Sequence, residues 1–326
     1  MSYSGRRSKV CARSGVMVAC LALSSVMMLA QQSPYERIVV FGTSFSDSGN
    51  AAIVVGSSTP PSYDVDEWLV PNRPYARGGH HLTNGPTWIE QLARSLGLGG
   101  SVQPSLRTSG AQGTNYAIGA TRAIPSPGHV TLNDQVNLFL AEFNGIAPPD
   151  ALYVMEMGAN DVSDALDAVA QGQDGFAILA AAVQSIVGHI RLLHAAGARH
   201  FLVGNVPSPG YAPAVRALDP VFPGTSLLAR NVAEAFNQIL SVALDSLEAL
   251  PDITITRVDA FATLDQVMAD PSSFGFSNVD DACIMPNTPP FKCQRPNSYF
   301  FWDGVHPTTA GASVFAHEAA LQLGIN

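Results

Sequence analysis

Apolar runs and amphipathic stretches alternate along most of this chain. Ile38 to Phe41 is apolar at every position, the pattern of a strand covered on both faces. Further central strands are predicted at 152–157, 200–205 and 253–259. Between them the period lengthens to that of a helix. Thr83-Asn84-Gly85-Pro86 is expected to open a helix with the proline in its first turn, Ile89, Leu92 and Leu96 forming its stripe and Gly97 its stop. Val130 to Phe143 carries Val136 and Leu140 on one face. From 178 to 196, Leu179, Val183, Ile186, Ile190 and Leu193 recur at spacings of four and three, which marks one buried face. Helices follow at 228–247 and about 308–323. Residues 51–79 break the pattern, because Pro60, Pro61, Pro71 and Pro74 forbid a continuous helix. A loop that long is usually functional, and Tyr63, Trp68 and Tyr75 give it aromatic anchors beside a substrate site.

Strand and helix alternation implies an α/β fold, a mostly parallel sheet in a three-layer α/β/α arrangement. No internal repeat or linker divides residues 33–326, which are expected to form a single domain. The first 32 residues stand apart. Arg6, Arg7, Lys9 and Arg13 precede an apolar stretch from Gly15 to Ala30, the layout of a secretory signal peptide cleaved near Ala30. The expected location is therefore secreted or periplasmic, with a retained membrane anchor as the alternative. With 47% hydrophobic and 13% charged residues, the chain as a whole has the composition of a compact globular protein. A net charge of −9 without a basic patch argues against a nucleic-acid partner. Removal of the leader takes Cys11 and Cys20 with it. Cys283 and Cys293 are left, and in an exported chain an isolated pair is most simply a disulfide closing the Pro-rich loop between them.

Candidate chemistry gathers where strands end. Strand 38–41 breaks at Gly42 into small polar residues that include Ser44, Ser46 and Ser48. Open α/β sheets bind ligands at the carboxyl edge of their strands, and backbone N–H groups at a following helix start can hold an oxyanion. These serines read equally as turn and cap residues. Far along the chain, Asp303 precedes His306 by three residues, so one short loop can supply a histidine base and the carboxylate that fixes its tautomer. Other signals are weak. There is no Gly-x-Ser-x-Gly elbow, phosphate loop or Cys-x-x-Cys pair, and His189 and His194 are spaced wrongly for one helical face. His80 and His81 read as loop residues at a pocket rim. No metal or cofactor is implied.

Taken together, the blocks Phe41 to Asn50, Asn115 to Ala120, Gly158-Ala159-Asn160-Asp161 and Asp303 to Thr308 resemble the GDSL esterases and lipases, also called SGNH hydrolases. The family patterns are FGDSLSDxGN, NYAxGGA, GxND and DxxHPT. Residues 83–88 and 274–283 look like the secreted bacterial branch that includes phospholipases and acyltransferases, and the resemblance spans about 36–320. It implies a flavodoxin-like sheet, with Ser44 as nucleophile, His306 as base and Asp303 as its orienting partner. It also implies an oxyanion hole of the Ser44 N–H, the Gly119 N–H and the Asn160 amide. Asp161 reads instead as a helix N-cap. The chain departs from the pattern at Thr43, where the family carries the aspartate that braces the nucleophile loop, and at Ala120 in place of a second glycine. The implied activity is hydrolysis of carboxylic esters through an acyl-serine, with an ester or lipid substrate and transient contact with a lipid surface. Acyl transfer to an alcohol is the near alternative, and a non-catalytic lipid- or glycan-binding relative is the distant one.

Overall fold

The computed structural model describes residues 1, 2, 5, 33–108 and 112–325. The expected leader, its cleavage point, Cys11 and Cys20 lie outside the described residues. From Ser33 onward the chain forms one compact unit.

Four strands pair in parallel in the order β1 (Arg37–Gly42), β2 (Ala151–Glu156), β3 (His200–Gly204) and β4 (Thr254–Val258). On the outer side of β1, Val40 bridges Asn115 in parallel, with Val40 N–H bonded to the Thr114 carbonyl at 2.9 Å and Tyr116 N–H to the Val40 carbonyl at 2.8 Å. The chain thus lays its second extended segment outside its first and later strands on the other side. That reversal is the flavodoxin-like switch point, and it opens a crevice beyond the carboxyl end of β1.

The pleat of β1 separates two cores. Val39 and Phe41 face one layer, which contains α3 (Leu132–Glu142), α4 (Ala159–Ala170), α5 (Gly175–Ala195) and α7 (Thr225–Asp245). Ile38 and Val40 face the other, with α2 (Trp88–Ser95), α8 (Ala260–Ala269) and α9 (Thr309–Gln322). Two covered faces explain why β1 and β2 are apolar almost throughout. The helix α5 has the length and hydropathy of a membrane span, but its stripe from Leu179 to Leu193 is buried in the first core.

Several element ends differ from the sequence reading. Pro86 lies before α2 and not inside its first turn. Thr87 is the N-cap, its hydroxyl and backbone N–H both bonded to Glu90 in a capping box, at 2.9 and 2.8 Å. The short α1 (Asn50–Val55), together with α8 and a small parallel pair of β5 (Asn278–Ala282) and β6 (Tyr299–Phe301), had no clear periodicity to announce them. The short α6 (Pro213–Arg216) completes the order. The β5–β6 pair carries the last loop to the site. Cys283 and Cys293 are joined, and the bridge packs with Tyr63, Tyr75 and Trp302 in a third small core beside that loop.

Candidate active site

Beyond Gly42 the backbone turns at once, with Ser46 N–H reaching the Thr43 carbonyl at 3.1 Å. The following residues are pinned by Asp47. Its buried carboxylate accepts the N–H groups of Gly49, Asn50 and Ala51 at 2.7, 2.7 and 2.9 Å, which starts α1. Burial pushes the Asp47 carboxyl up, against the pull of these backbone bonds. Ser44 stands at the tip of the turn, half-buried on a cavity wall. Its N–H has no hydrogen-bond partner among the described residues.

Asp303 and His306 meet as their spacing suggested. The His306 Nδ1 lies 2.8 and 3.0 Å from the two Asp303 oxygens. The same carboxylate accepts the backbone N–H groups of Val305 at 2.9 Å and His306 at 2.7 Å, so it shapes the loop that presents the ring. Tyr75 completes the set, donating its hydroxyl to Asp303 Oδ2 at 2.9 Å. Asp303 is fully buried and His306 nearly so. Burial, then the adjacent Asp303 charge, raises the Tyr75 pKa, which keeps that phenol a donor. The sequence had offered Tyr75 only as a loop anchor; nothing in its neighbourhood named a partner 228 residues away.

Asn160 is the second residue of α4, two after the N-cap Gly158, whose φ of 114° is in the left-handed region. One amide hydrogen of Asn160 goes to the Thr121 carbonyl at 2.8 Å. An amide nitrogen has two, and the residue lines the same cavity as Ser44. Asp161 is not the cap of this helix: Gly158 holds that position, and the buried Asp161 carboxylate reaches across to the N–H groups of Ala123 and Ile124. Gly119 also differs from expectation. It lines the cavity, but its N–H is given to Asp47 Oδ2 at 2.9 Å and is not free for an oxyanion. Packing supplies another reason for glycine there, since a Cβ would stand 2.6 Å from Leu82 Cδ1.

These residues enclose a cavity of about 600 Å³. Ser44, Gly119, Asn160 and His306 lie in its wall, and most of the rest is apolar, including Val54, Leu82, Ile118, Val206, Leu264 and Phe315. His81 is not in this wall. It is buried against Glu90 with Nε2–Oε2 at 3.1 Å; burial opposes its charge, yet Glu90 and the Gly78 carbonyl together raise its pKa. His189 bonds within its own helix and His194 reaches the Pro251 carbonyl, so neither meets a metal-binding partner. No group of three or more metal-ligating side chains occurs among the described residues.

One carboxylate in the wall had no sequence signal. Glu156, the last residue of β2, accepts the Thr43 N–H at 3.0 Å, the Thr43 hydroxyl at 3.0 and 3.1 Å, and the Ser46 hydroxyl at 3.0 Å. Burial pushes its pKa up to about 7; the bonds to Thr43 and Ser46 and the nearby His306 work in the other direction.

The sequence model of the GDSL-like lipase/acylhydrolase family matches residues 38–319, from within β1 to within α9. The chain belongs to that family. A GDSL esterase/lipase of Arabidopsis thaliana is 26% identical over 302 residues, spanning 85% of this chain and 86% of its own length. A second from the same plant is 24% identical over 339 residues, spanning 91% and 93%. Among solved structures, the extracellular lipase of Streptomyces rimosus aligns over 89% of this chain and 99% of its own, with 15% identity and a TM-score of 0.39. A catalytic mutant of an acetylxylan esterase from Geobacillus stearothermophilus aligns over 90% and 96%, with 13% identity and a TM-score of 0.45. As a GDSL hydrolase this chain falls in the class of carboxylic-ester hydrolases, and its four sequence blocks bring Ser44, Gly119, Asn160 and His306 to the cavity wall.

Proposed function

We propose that this GDSL hydrolase is an exported serine esterase that cleaves esters with an apolar acyl chain through an acyl-Ser44 intermediate. The observation that carries the reading is the buried Tyr75–Asp303–His306 chain ending in the wall of an apolar cavity that also holds Ser44 and Asn160. His306, held through Nδ1, presents Nε2 as the base. It takes the Ser44 proton as Oγ attacks the ester carbonyl, and returns it to the departing alcohol. Water then attacks the acyl-serine by the same route and releases the acid. The Ser44 N–H and the second amide hydrogen of Asn160, the first being given to the Thr121 carbonyl, are neutral donors suited to the oxyanion. In this reading Gly119 contributes room and the anchoring of Asp47, not a third donor.

The cavity volume and its predominantly apolar walls favour an acyl chain over a sugar, since most of the lining offers no hydrogen bond to replace lost water. Export is supported by the leader composition and by the Cys283–Cys293 bridge, which an oxidising compartment preserves. A panel of p-nitrophenyl esters of rising chain length, run beside a phospholipid and paired with fluorophosphonate labelling, tests the reading. Labelling at Ser44 and turnover that increases with chain length are expected. An unlabelled, inactive wild type would sink the esterase assignment, and a preference for acetyl esters would sink the apolar-chain assignment.

A further inference from the structure

We infer that Glu156 is a positioning residue for the nucleophile. From the end of β2 its carboxylate ties down residues 43 and 46 on either side of Ser44, in place of the carboxylate absent at position 43. The inference rests on Ser44 being the nucleophile.

Three donors converge on this one side chain, and all three come from the turn that carries Ser44: the Thr43 N–H, the Thr43 hydroxyl and the Ser46 hydroxyl. The placement follows from strand register. Glu156 pairs directly with Gly42, the last residue of β1, so a side chain there naturally reaches the turn that begins at 43. Gly42 leaves the space. A Cβ at that position would lie 3.0 Å from Glu156 Oε2 and from Ser46 Cβ. The Ser46 oxygen is occupied as well, accepting Trp88 Nε1 at 2.9 Å, which directs its proton to Glu156. Trp88 is the first residue of α2 in the opposite layer. The turn is therefore clamped from β2 and from α2, with Ser44 between the fixed points.

This arrangement reinterprets Thr43. A carboxylate at 43 could fix the turn from within. Here a neutral hydroxyl at 43 serves as a donor to a carboxylate that approaches from the neighbouring strand. The two solutions exclude each other. Thr43 Oγ1 is 3.0 Å from Glu156 Oε1, so an aspartate at 43 would set two carboxylates against one another. Thr43→Asp in the natural background is thus expected to reduce the rate, the reverse of what the sequence departure alone suggests. Because Glu156 acts through the turn and its bonds are all to protein donors, its loss is expected in the chemical step and not in binding.

The experiment compares wild type, Glu156→Gln, Thr43→Asp and the double variant at pH 8.5. It measures kcat and KM on one p-nitrophenyl ester and the rate of fluorophosphonate inactivation. Loss of charge on hydrogen bonds of this kind predicts a fall in kcat of about tenfold for Glu156→Gln. KM should stay within about twofold, since substrate binding is not the interaction removed. Thr43→Asp should fall similarly. The double variant, which moves the carboxylate from 156 to 43, should recover to within about threefold of wild type, a coupling that independent sites would not give. Wild-type kcat and inactivation rate in Glu156→Gln would overturn the inference, and so would a double variant whose loss is the product of the two single losses. If the aspartate variants fail to fold, Glu156→Asp decides: it retains the charge one methylene short of the turn, and unchanged kcat there overturns the inference. A wild type that never reacts with the phosphonate would instead refute the esterase reading on which this rests.

Discussion

Replacing Glu156 by glutamine should make the protein slower and, at neutral to alkaline pH, more stable. The carboxyl titrates near 4.5 in an unfolded chain and at about 7 in the folded one, chiefly because it is buried. Between those values the folded state keeps the proton while the unfolded state has released it. Stability must then fall as pH rises from about 4.5 to 7, and level off above. At about 1.4 kcal/mol per pH unit, the full loss is about 3 kcal/mol. Glutamine does not titrate and so lacks this loss. Differential scanning fluorimetry of both proteins from pH 4.5 to 8.5 isolates the effect, because Asp47 and Asp161, the other buried carboxyls that burial pushes up, keep their own partners in each. The Glu156→Gln melting temperature should gain on wild type by about 6 °C across that range, at roughly 2 °C per kcal/mol for a chain of this size. Parallel curves would refute the reasoning: they would mean that the donors from Thr43 and Ser46 outweigh burial and keep Glu156 ionised throughout. A slower but more stable variant would mark Glu156 as a group retained for function at the expense of stability.

Other expectations follow from the same geometry. Ser44→Ala and His306→Ala should each lower kcat by about 10³ to 10⁶ with the fold intact, measured by turnover and circular dichroism. Ser46→Ala should stay active with kcat down by less than about tenfold, since it removes one donor to Glu156 and leaves the chemistry in place; a Ser46 variant as inert as Ser44→Ala would mean the wrong serine was chosen. Asn160→Ala should cost about 10² to 10³ in kcat with little change in KM on a short-chain ester, as expected for a donor used mainly in the transition state. Gly119→Ala should lose about 1 to 3 kcal/mol through collision with Leu82 Cδ1, and adding Leu82→Ala should recover part of that in a denaturation curve; no recovery would mean that contact with Leu82 does not set the requirement for glycine.

The parallel sheet, the long helices and the residues of the four blocks were legible because each carries a local signal. A period of 3.6, an apolar run ended by glycine, or an aspartate three residues before a histidine can be read within one short window. What escaped was distributed along the chain. Tyr75 sits in a proline-broken loop whose partner is on the last turn before α9. Glu156 looks like a polar interruption in an apolar strand, and only the register of β2 against β1 reveals that it faces Thr43. The bond from the Gly119 N–H to Asp47 was equally hidden, because a glycine in that block signals close approach without saying what approaches. Asp161 resembled a cap because caps are what aspartates near helix starts usually are; its true partners at 123 and 124 are contacts of tertiary structure.

The 56–79 loop has a consequence for anyone wishing to retune this protein. It is stitched to the loop of the base at two points: Tyr75 holds Asp303, and the Leu69 carbonyl accepts the Gly304 N–H at 3.0 Å. Gly304 has no room to yield, since a Cβ would fall 1.9 Å from the Trp68 carbonyl oxygen. The same loop contributes Val70, Pro71, Asn72, Arg73 and Pro74 to the cavity wall. The part of the molecule that meets the substrate is thus also part of the scaffold that aims the imidazole. A graft of this loop from a relative would travel with its own hinge to the proton-transfer machinery, and selectivity and turnover should change together. Libraries confined to Val54, Leu82, Ile118 and Leu264, which touch the cavity without touching Asp303, offer the route by which the two could be separated.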